Sequence, residues 1–237
     1  ARDRAMRDYY TVARIKETLR EAERLGITTF LGRADRHITR MLNEYWNEGG
    51  TIQWFAQTCP EMSSLSRSIQ DAIAGGAKAA YIHGGYMDNL LANGQLDQVA
   101  PALARIRQAG LLAGIAGHRP EVFQWADATV DADFYMCSYY NPTDRSHNAE
   151  HALGAEETFA DEHRAHMVET IARLRKPAIH YKIFAAGRND PAQAFAFVAR
   201  HLRPGDAVCI GVFMQDNPAM LAEDVALFEA ALARVER

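Results

Sequence analysis

The sequence predicts an α/β fold, a single TIM-type (β/α)8 barrel over residues 1–237 with its first strand missing from the N-terminus. Three observations predict it. One grammar repeats seven times: a short β-rich apolar run, a polar loop, then a helical pattern. The chain length, 237 residues, is close to the roughly 250 typical of one such barrel. The Gly-rich phosphate turn that an open doubly wound sheet would carry after an early strand does not occur.

The elements follow in order. A leading helix, TVARIKETLREAERLG, sets Val12, Ile15, Leu19 and Leu25 on one face, and Gly26 stands where a helix C-terminal glycine belongs. Strands are expected at residues 28–32, 51–57, 78–84, 111–117, 133–140, 178–184 and 207–213. Helices follow them, for instance ADRHITRMLNEYWNEG, LDQVAPALARIRQAG and PAQAFAFVARHL, and several end in turns at Gly49–Gly50, Gly75–Gly76 and Gly110. Strands alternating with helices of this length give a parallel sheet with right-handed crossovers. A barrel needs eight strands, so the missing one is expected before the leading helix, ahead of Ala1.

Composition narrows the partners. Apolar residues make up 48% and charged residues 24%, as in a globular domain with a large core. A net charge of −4 argues against nucleic acid as a partner. Cys59, Cys137 and Cys209 form neither a CxxC pair nor a disulfide framework, so a reducing, cytoplasmic compartment is expected. No apolar run reaches the roughly 18 residues of a membrane span, and no signal peptide is visible. The expected partner is a small-molecule substrate.

In a barrel, alternate strand residues face inward, and the last of these line the active-site mouth. Taking the outward set as the apolar one, Gln53, Phe55 and Gln57 face in, as do Tyr81 and His83. The same rule turns Tyr135, Cys137 and Tyr139 inward, and His180 and Lys182 inward with Ile179, Tyr181 and Ile183 outward. The mouth then holds Arg33, Gln57, His83, Tyr139 and Lys182, with His118, Tyr140 and Asn141 just beyond the strand ends. Burying so many polar groups without partners would cost a few kcal/mol each, so a polar pocket is expected.

His83 can exchange a proton with a substrate oxygen near neutral pH. Lys182 can polarise a carbonyl or form a Schiff base, and His118 precedes a helix-opening proline. Arg33 and Asp35 clamp each other at the rim or touch substrate. Gly187, Arg188 and Asn189 lie where barrels often hold phosphate, although a plain turn capping the next helix explains them equally. His147 with His151, and His163 with His166, read as solvated faces in a long connection. That connection, a candidate lid, also carries Asp144 and Arg145.

Several stretches resemble, in order, the aldo-keto reductase superfamily, from about residue 20 onward. They are ERLGITTFLGRAD, AYIHGG, LLAGIAGHRPEVFQWA, DFYMCSYYNP, KPAIHYKIFAAGR and AVCIGVFMQDNPAMLAEDVALF. The resemblance implies a barrel reductase using an Asp, Tyr, Lys and His tetrad with NADP(H). Only His83 matches that tetrad. Leu31 stands at the Asp position, Arg36 and His37 where a Tyr would follow, and Phe55-Ala56-Gln57 where the family carries its Lys. MQDNPAML has no basic residue for the NADPH adenosine phosphate. The family likeness therefore implies an aldo-keto reductase-like barrel without the standard hydride-transfer machinery.

The expected function is an enzyme acting on a small sugar-like or hydroxy-carbonyl compound, with His83, His118 and Lys182 as catalytic groups. Arg33, Asp35, Gln57, Tyr139, Tyr140 and Asn141 would bind the substrate. Two alternatives stand beside it: a metal-dependent isomerase or lyase using His83 and His118 around a divalent ion, and a non-catalytic barrel that binds a small ligand.

Overall fold

The computed structural model describes residues 2–143, 145, 147 and 158–235. Asp144 and His151 lie outside these residues. Seven strands form one parallel sheet in sequence order, each hydrogen-bonded to the next. They are β1 (Thr29–Arg33), β2 (Gln53–Gln57), β3 (Ala79–Ile82), β4 (Leu112–Gly117), β5 (Phe134–Ser138), β6 (Ala178–Tyr181) and β7 (Ala207–Val208). Among the described residues β1 pairs only with β2, and β7 only with β6. The sheet is a TIM barrel with one strand missing.

Ten α-helices accompany the strands among the described residues: α1 (Arg2–Tyr9), α2 (Val12–Arg24), α3 (Arg36–Asn47), α4 (Leu65–Ala74), α5 (Gly84–Ala92), α6 (Val99–Gln108), α7 (Pro120–Thr129), α8 (Asp161–Ile171), α9 (Pro191–Ala199) and α10 (Met220–Val235). Local chemistry sets their starts. Thr11, Asp35, Ser64 and Asp190 accept backbone N–H groups at the starts of α2, α3, α4 and α9. No helix among the described residues is long and apolar enough to cross a membrane.

Two apolar layers result. Between sheet and helices lie Trp54, Tyr45, Tyr135, Phe123 and their neighbours, all fully buried. Inside the barrel lie Ala79, Tyr81, Ala116, Phe134, Met136 and Ile179, joined by Leu31, Phe55, Tyr181 and Cys209. Gly114 belongs to this packing, because a Cβ there would come within 2.3 Å of the Phe134 ring. At the N-terminal ends of the strands, Asp133 accepts the Ala113 amide at 2.7 Å and pairs with the Arg107 guanidinium at 2.8 Å.

Three sequence expectations are corrected. The β5 side chains are reversed: Tyr135 and Cys137 belong to the helix-facing layer, and Phe134 and Met136 fill the interior. So are those of β6: Ile179 and Tyr181 face the interior, and His180 does not. The cause is shared, since the barrel interior is itself a packed apolar layer and polarity alone does not mark it. Lys182 lies past the end of β6 with φ +59°, outside the strand alternation that was to aim it inward. One helix not singled out in the sequence, α5, starts directly after β3, ahead of α6.

Candidate active site

The C-terminal ends of β3, β4 and β6 bring together a group of polar side chains. His118, one residue past β4, is buried and places its ring Nδ1 2.7 Å from Asp88 Oδ2. The other Asp88 oxygen accepts the His118 backbone N–H at 3.1 Å. One carboxylate on the second turn of α5 thus fixes both the ring and the main chain of His118. An imidazole that gives Nδ1–H to Asp88 can offer the lone pair of Nε2 to a substrate proton. That nitrogen lies 3.4 Å from the Tyr181 hydroxyl.

Tyr181 ends β6, and its hydroxyl also lies 3.4 Å from the Gly117 carbonyl oxygen. Burial, followed by the neighbouring Asp88 charge, holds its phenol well above the ordinary range. It is therefore a protonated donor at neutral pH. Gly84, the first residue of α5, backs the pair: a Cβ there would sit 3.1 Å from His118 Cε1 and 3.2 Å from the Tyr181 oxygen. The absence of a side chain lets α5 begin against the two rings.

His83 ends the β3 run and donates its backbone N–H to Thr58 Oγ1 at 3.1 Å. Burial first, then the nearby His118, Arg145 and Arg33, lowers its pKa to about 4, so the ring is neutral at physiological pH. Arg33 is exposed at the rim, bonded to Glu61 at 2.8 Å and 3.6 Å from Asp35. Asp35 uses its other oxygen to cap α3 through the Ile38 amide at 2.9 Å.

A polar cleft of about 390 Å³ leads to His118 between α7 and α8. His118, Arg119, Asn141, His163, His166 and Arg173 are among its walls. Sequence reasoning placed His163 and His166 on a solvated face; His163 instead accepts the Asn141 amide at 3.4 Å beside this cleft. His147 is exposed.

Other expected site residues take different places. Gln57 is half-buried at the end of β2, between Arg33 of β1 and Tyr81 of β3. The Tyr139 hydroxyl bonds His180 Nδ1 at 2.9 Å, in a buried cluster with Asp206, so it does not line the mouth as expected. The Tyr140 hydroxyl accepts from Asn189 Nδ2 at 2.8 Å, and the same nitrogen reaches the Ile183 carbonyl at 2.9 Å. Those two residues brace the loops after β5 and β6. The Gly187, Arg188 and Asn189 amides, expected as an anion cradle, all donate to the Phe184 carbonyl. The Arg188 guanidinium lies 4.3 Å over the Phe159 ring. The plain-turn explanation of these three residues fits this geometry.

Asp88 and Tyr181 were not anticipated. Asp88 lies inside a helix that follows the strand without a loop, and Tyr181 was hidden by the reversed facing of β6. Among the described residues, no group of three or more His, Cys, Asp or Glu side chains is placed to hold a metal ion.

No protein-family model matches the sequence, and no curated protein resembles it closely enough to count as a relative. Solved structures do resemble it in fold. One, described as an aldo-keto reductase from Pseudomonas aeruginosa, superposes with a TM-score of 0.66 at 19% identity, over 94% of this chain and 85% of that one. The holo form of an aldo-keto reductase from Bacillus halodurans gives 0.60 at 11%, over 96% and 87%. An aldolase called QR15 gives 0.56 at 12%, over 94% and 90%. By fold, the chain is a TIM barrel with one strand missing among the described residues, similar to the barrels of those aldo-keto reductases and that aldolase.

Proposed function

We propose that this barrel is an enzyme that moves a proton on a small sugar-like or hydroxy-carbonyl compound, with His118 as the acid/base group. The observation that carries the reading is the Asp88–His118–Tyr181 alignment at the strand ends. Asp88 orients the imidazole and stabilises the imidazolium that forms when Nε2 takes a proton from carbon next to a carbonyl. Tyr181 is the nearest hydroxyl able to donate to the carbonyl oxygen as the enediol develops. Neutral His83 donates a second hydrogen bond to the developing negative charge. Lys182 and Asn141 remain candidates for substrate contact.

Aldo-keto reductases and an aldolase both occur among the structures of similar fold. Hydride transfer from NADPH fits these residues poorly. The segment after β7 carries Asp216, Glu223 and Asp224 and no basic side chain up to Arg234. The amides at residues 187–189 are turned to Phe184 rather than toward a ligand. A proton-transfer reaction, as in an isomerase or lyase, needs only the groups present.

The test is solvent exchange. The protein is incubated in D2O with dihydroxyacetone, glycolaldehyde, glyceraldehyde and erythrose, and loss of the α-proton signal is followed by NMR. Exchange above the buffer rate is expected, reduced at least about 100-fold in His118→Asn and Asp88→Asn. Exchange at the buffer rate with every compound, or an unchanged rate in His118→Asn, overturns the reading.

A further inference from the structure

The polar cleft between α7 and α8 carries donors that the chain itself does not use. Arg173, two residues past α8, lines it. Among the described residues its guanidinium has no hydrogen-bond or ion-pair partner. Nearby arginines differ: Arg164, Arg175 and Arg203 lie 3.0, 3.0 and 2.9 Å from Asp161, Asp127 and Asp206. His163, also in the cleft wall, accepts the Asn141 amide at Nδ1. An imidazole that accepts there carries its hydrogen on Nε2. Among the described residues that nitrogen has no partner, and neither has the exposed ring of His166.

Two carboxylates share these walls. Glu121 lies 3.5 Å from Arg119 in a partly exposed pair. Glu169 has no partner among the described residues, although Arg173 follows it by four positions. Guanidinium and carboxylate thus line one cleft without pairing. A ligand that satisfies both brings an oxyanion to the first and a hydroxyl to the second. A neutral polyol supplies only the hydroxyl.

We propose that this cleft binds the terminal phosphate of a phosphorylated sugar-like substrate, through Arg173, Arg119 and the Nε2–H of His163, while Glu169 accepts a hydroxyl of its chain. The proposal rests on the acid/base reading of His118, which borders the same cleft and would meet the carbonyl end. A guanidinium holds a phosphate through two parallel N–H···O bonds, a match that a hydroxyl does not offer. A phosphomonoester carries a charge of about −1.5 to −2 near pH 7, enough to engage Arg173 and draw Arg119 from its loose contact with Glu121. The cleft volume, about 390 Å³, falls within the roughly 300–1,000 Å³ of small-molecule sites. The phosphate position expected from the sequence, at residues 187–189, has its amides turned to Phe184 instead.

The test compares glyceraldehyde 3-phosphate with glyceraldehyde, and erythrose 4-phosphate with erythrose, in the D2O exchange assay. Inorganic phosphate is titrated separately, and backbone amide shifts are followed by NMR. The phosphorylated member of each pair is expected to show a kcat/KM at least about 100-fold higher, mainly through KM. Arg173→Gln, at an exposed position, should keep its melting temperature and lose at least about tenfold of that preference. Phosphate should shift amides at residues 119–124 and 163–173, and shift them less in Arg173→Gln. Equal kcat/KM within each pair overturns the subsite and leaves the His118 reading standing. Exchange absent with every compound, while phosphate still shifts these amides, overturns that reading and supports the subsite. Shifts confined to residues 185–190 put the phosphate at the other turn and overturn the cleft. Malonate that shifts the cleft amides more strongly than phosphate makes the acidic group a carboxylate and overturns the phosphate assignment.

Discussion

The molecule contains the same three residue types twice, in two settings. Asp206, His180 and Tyr139 form one chain of hydrogen bonds; Asp88, His118 and Tyr181 form the other. In the first, the Asp206 and His180 side chains are fully buried, and the carboxylate also binds the Arg203 guanidinium and the Ala178 and Arg203 amides. In the second, Asp88 serves only His118 among the described residues, in ring and main chain, and His118 borders the polar cleft. The first cluster is saturated. The second places its histidine beside an opening, the polar cleft between α7 and α8. Residue identity does not separate structure from chemistry here; the number of partners on the carboxylate and access to the ring do.

The largest expected effect is therefore on stability and falls in the saturated cluster. Burial alone would raise the Asp206 carboxyl, but hydrogen bonds from His180, Arg203 and two amides outweigh it and hold the group below the usual carboxylate range. A depressed folded pKa means stability that is present above the unfolded value and is lost as pH falls. Asp206→Asn is expected to cost about 3–5 kcal/mol, because Arg203 and His180 lose their buried partner. Denaturant unfolding at pH 7 measures this, and the variant should also show a flatter stability loss on acidification. Its folded fraction should retain α-proton exchange. A loss under about 1 kcal/mol would remove the distinction between the two clusters.

The two tyrosines sharpen the comparison at a smaller scale. Tyr139→Phe removes a 2.9 Å bond and leaves His180 Nδ1 buried without its partner, for an expected cost of about 1–3 kcal/mol and no change in exchange rate. Tyr181→Phe removes two contacts of 3.4 Å, for a stability change under about 1 kcal/mol. It should slow α-proton exchange by about tenfold or more. Thermal melts and the NMR assay on both variants decide the matter, and a reversed pattern would exchange the roles assigned to the clusters.

How far the sequence reveals this depends on the scale. The repeated strand–helix grammar and the count of seven strands are readable because periodicity and turn chemistry are local. Facing in β2 and β3 is also readable, since Trp54 and Ile82 mark the helix side against Gln53, Gln57 and Tyr81. It fails in β5 and β6. There both faces carry apolar or aromatic side chains, and the polar residue, His180, finds its partner in Asp206 on a distant loop. The error hid Tyr181 and promoted Tyr139. Of the aligned site, His118 alone was read, because Pro120 marks a helix start just after a strand.

The smallest effect isolates geometry from stability. Alanine at position 84 would favour α5 by roughly 0.5–1 kcal/mol over glycine through backbone entropy. Its Cβ would also press His118 Cε1 at 3.1 Å, the Gly117 amide at 3.2 Å and the Tyr181 oxygen at 3.2 Å. The two effects oppose each other, so Gly84→Ala is expected to shift the unfolding free energy by less than about 1 kcal/mol. The contact displaced most easily is the long one between His118 and Tyr181, while the 2.7 Å bond to Asp88 holds. Exchange should then fall about tenfold with the melting temperature little changed. A variant that melts normally and exchanges at the wild-type rate would show that Tyr181 need not meet His118, leaving Asp88–His118 as the whole of the acid/base unit.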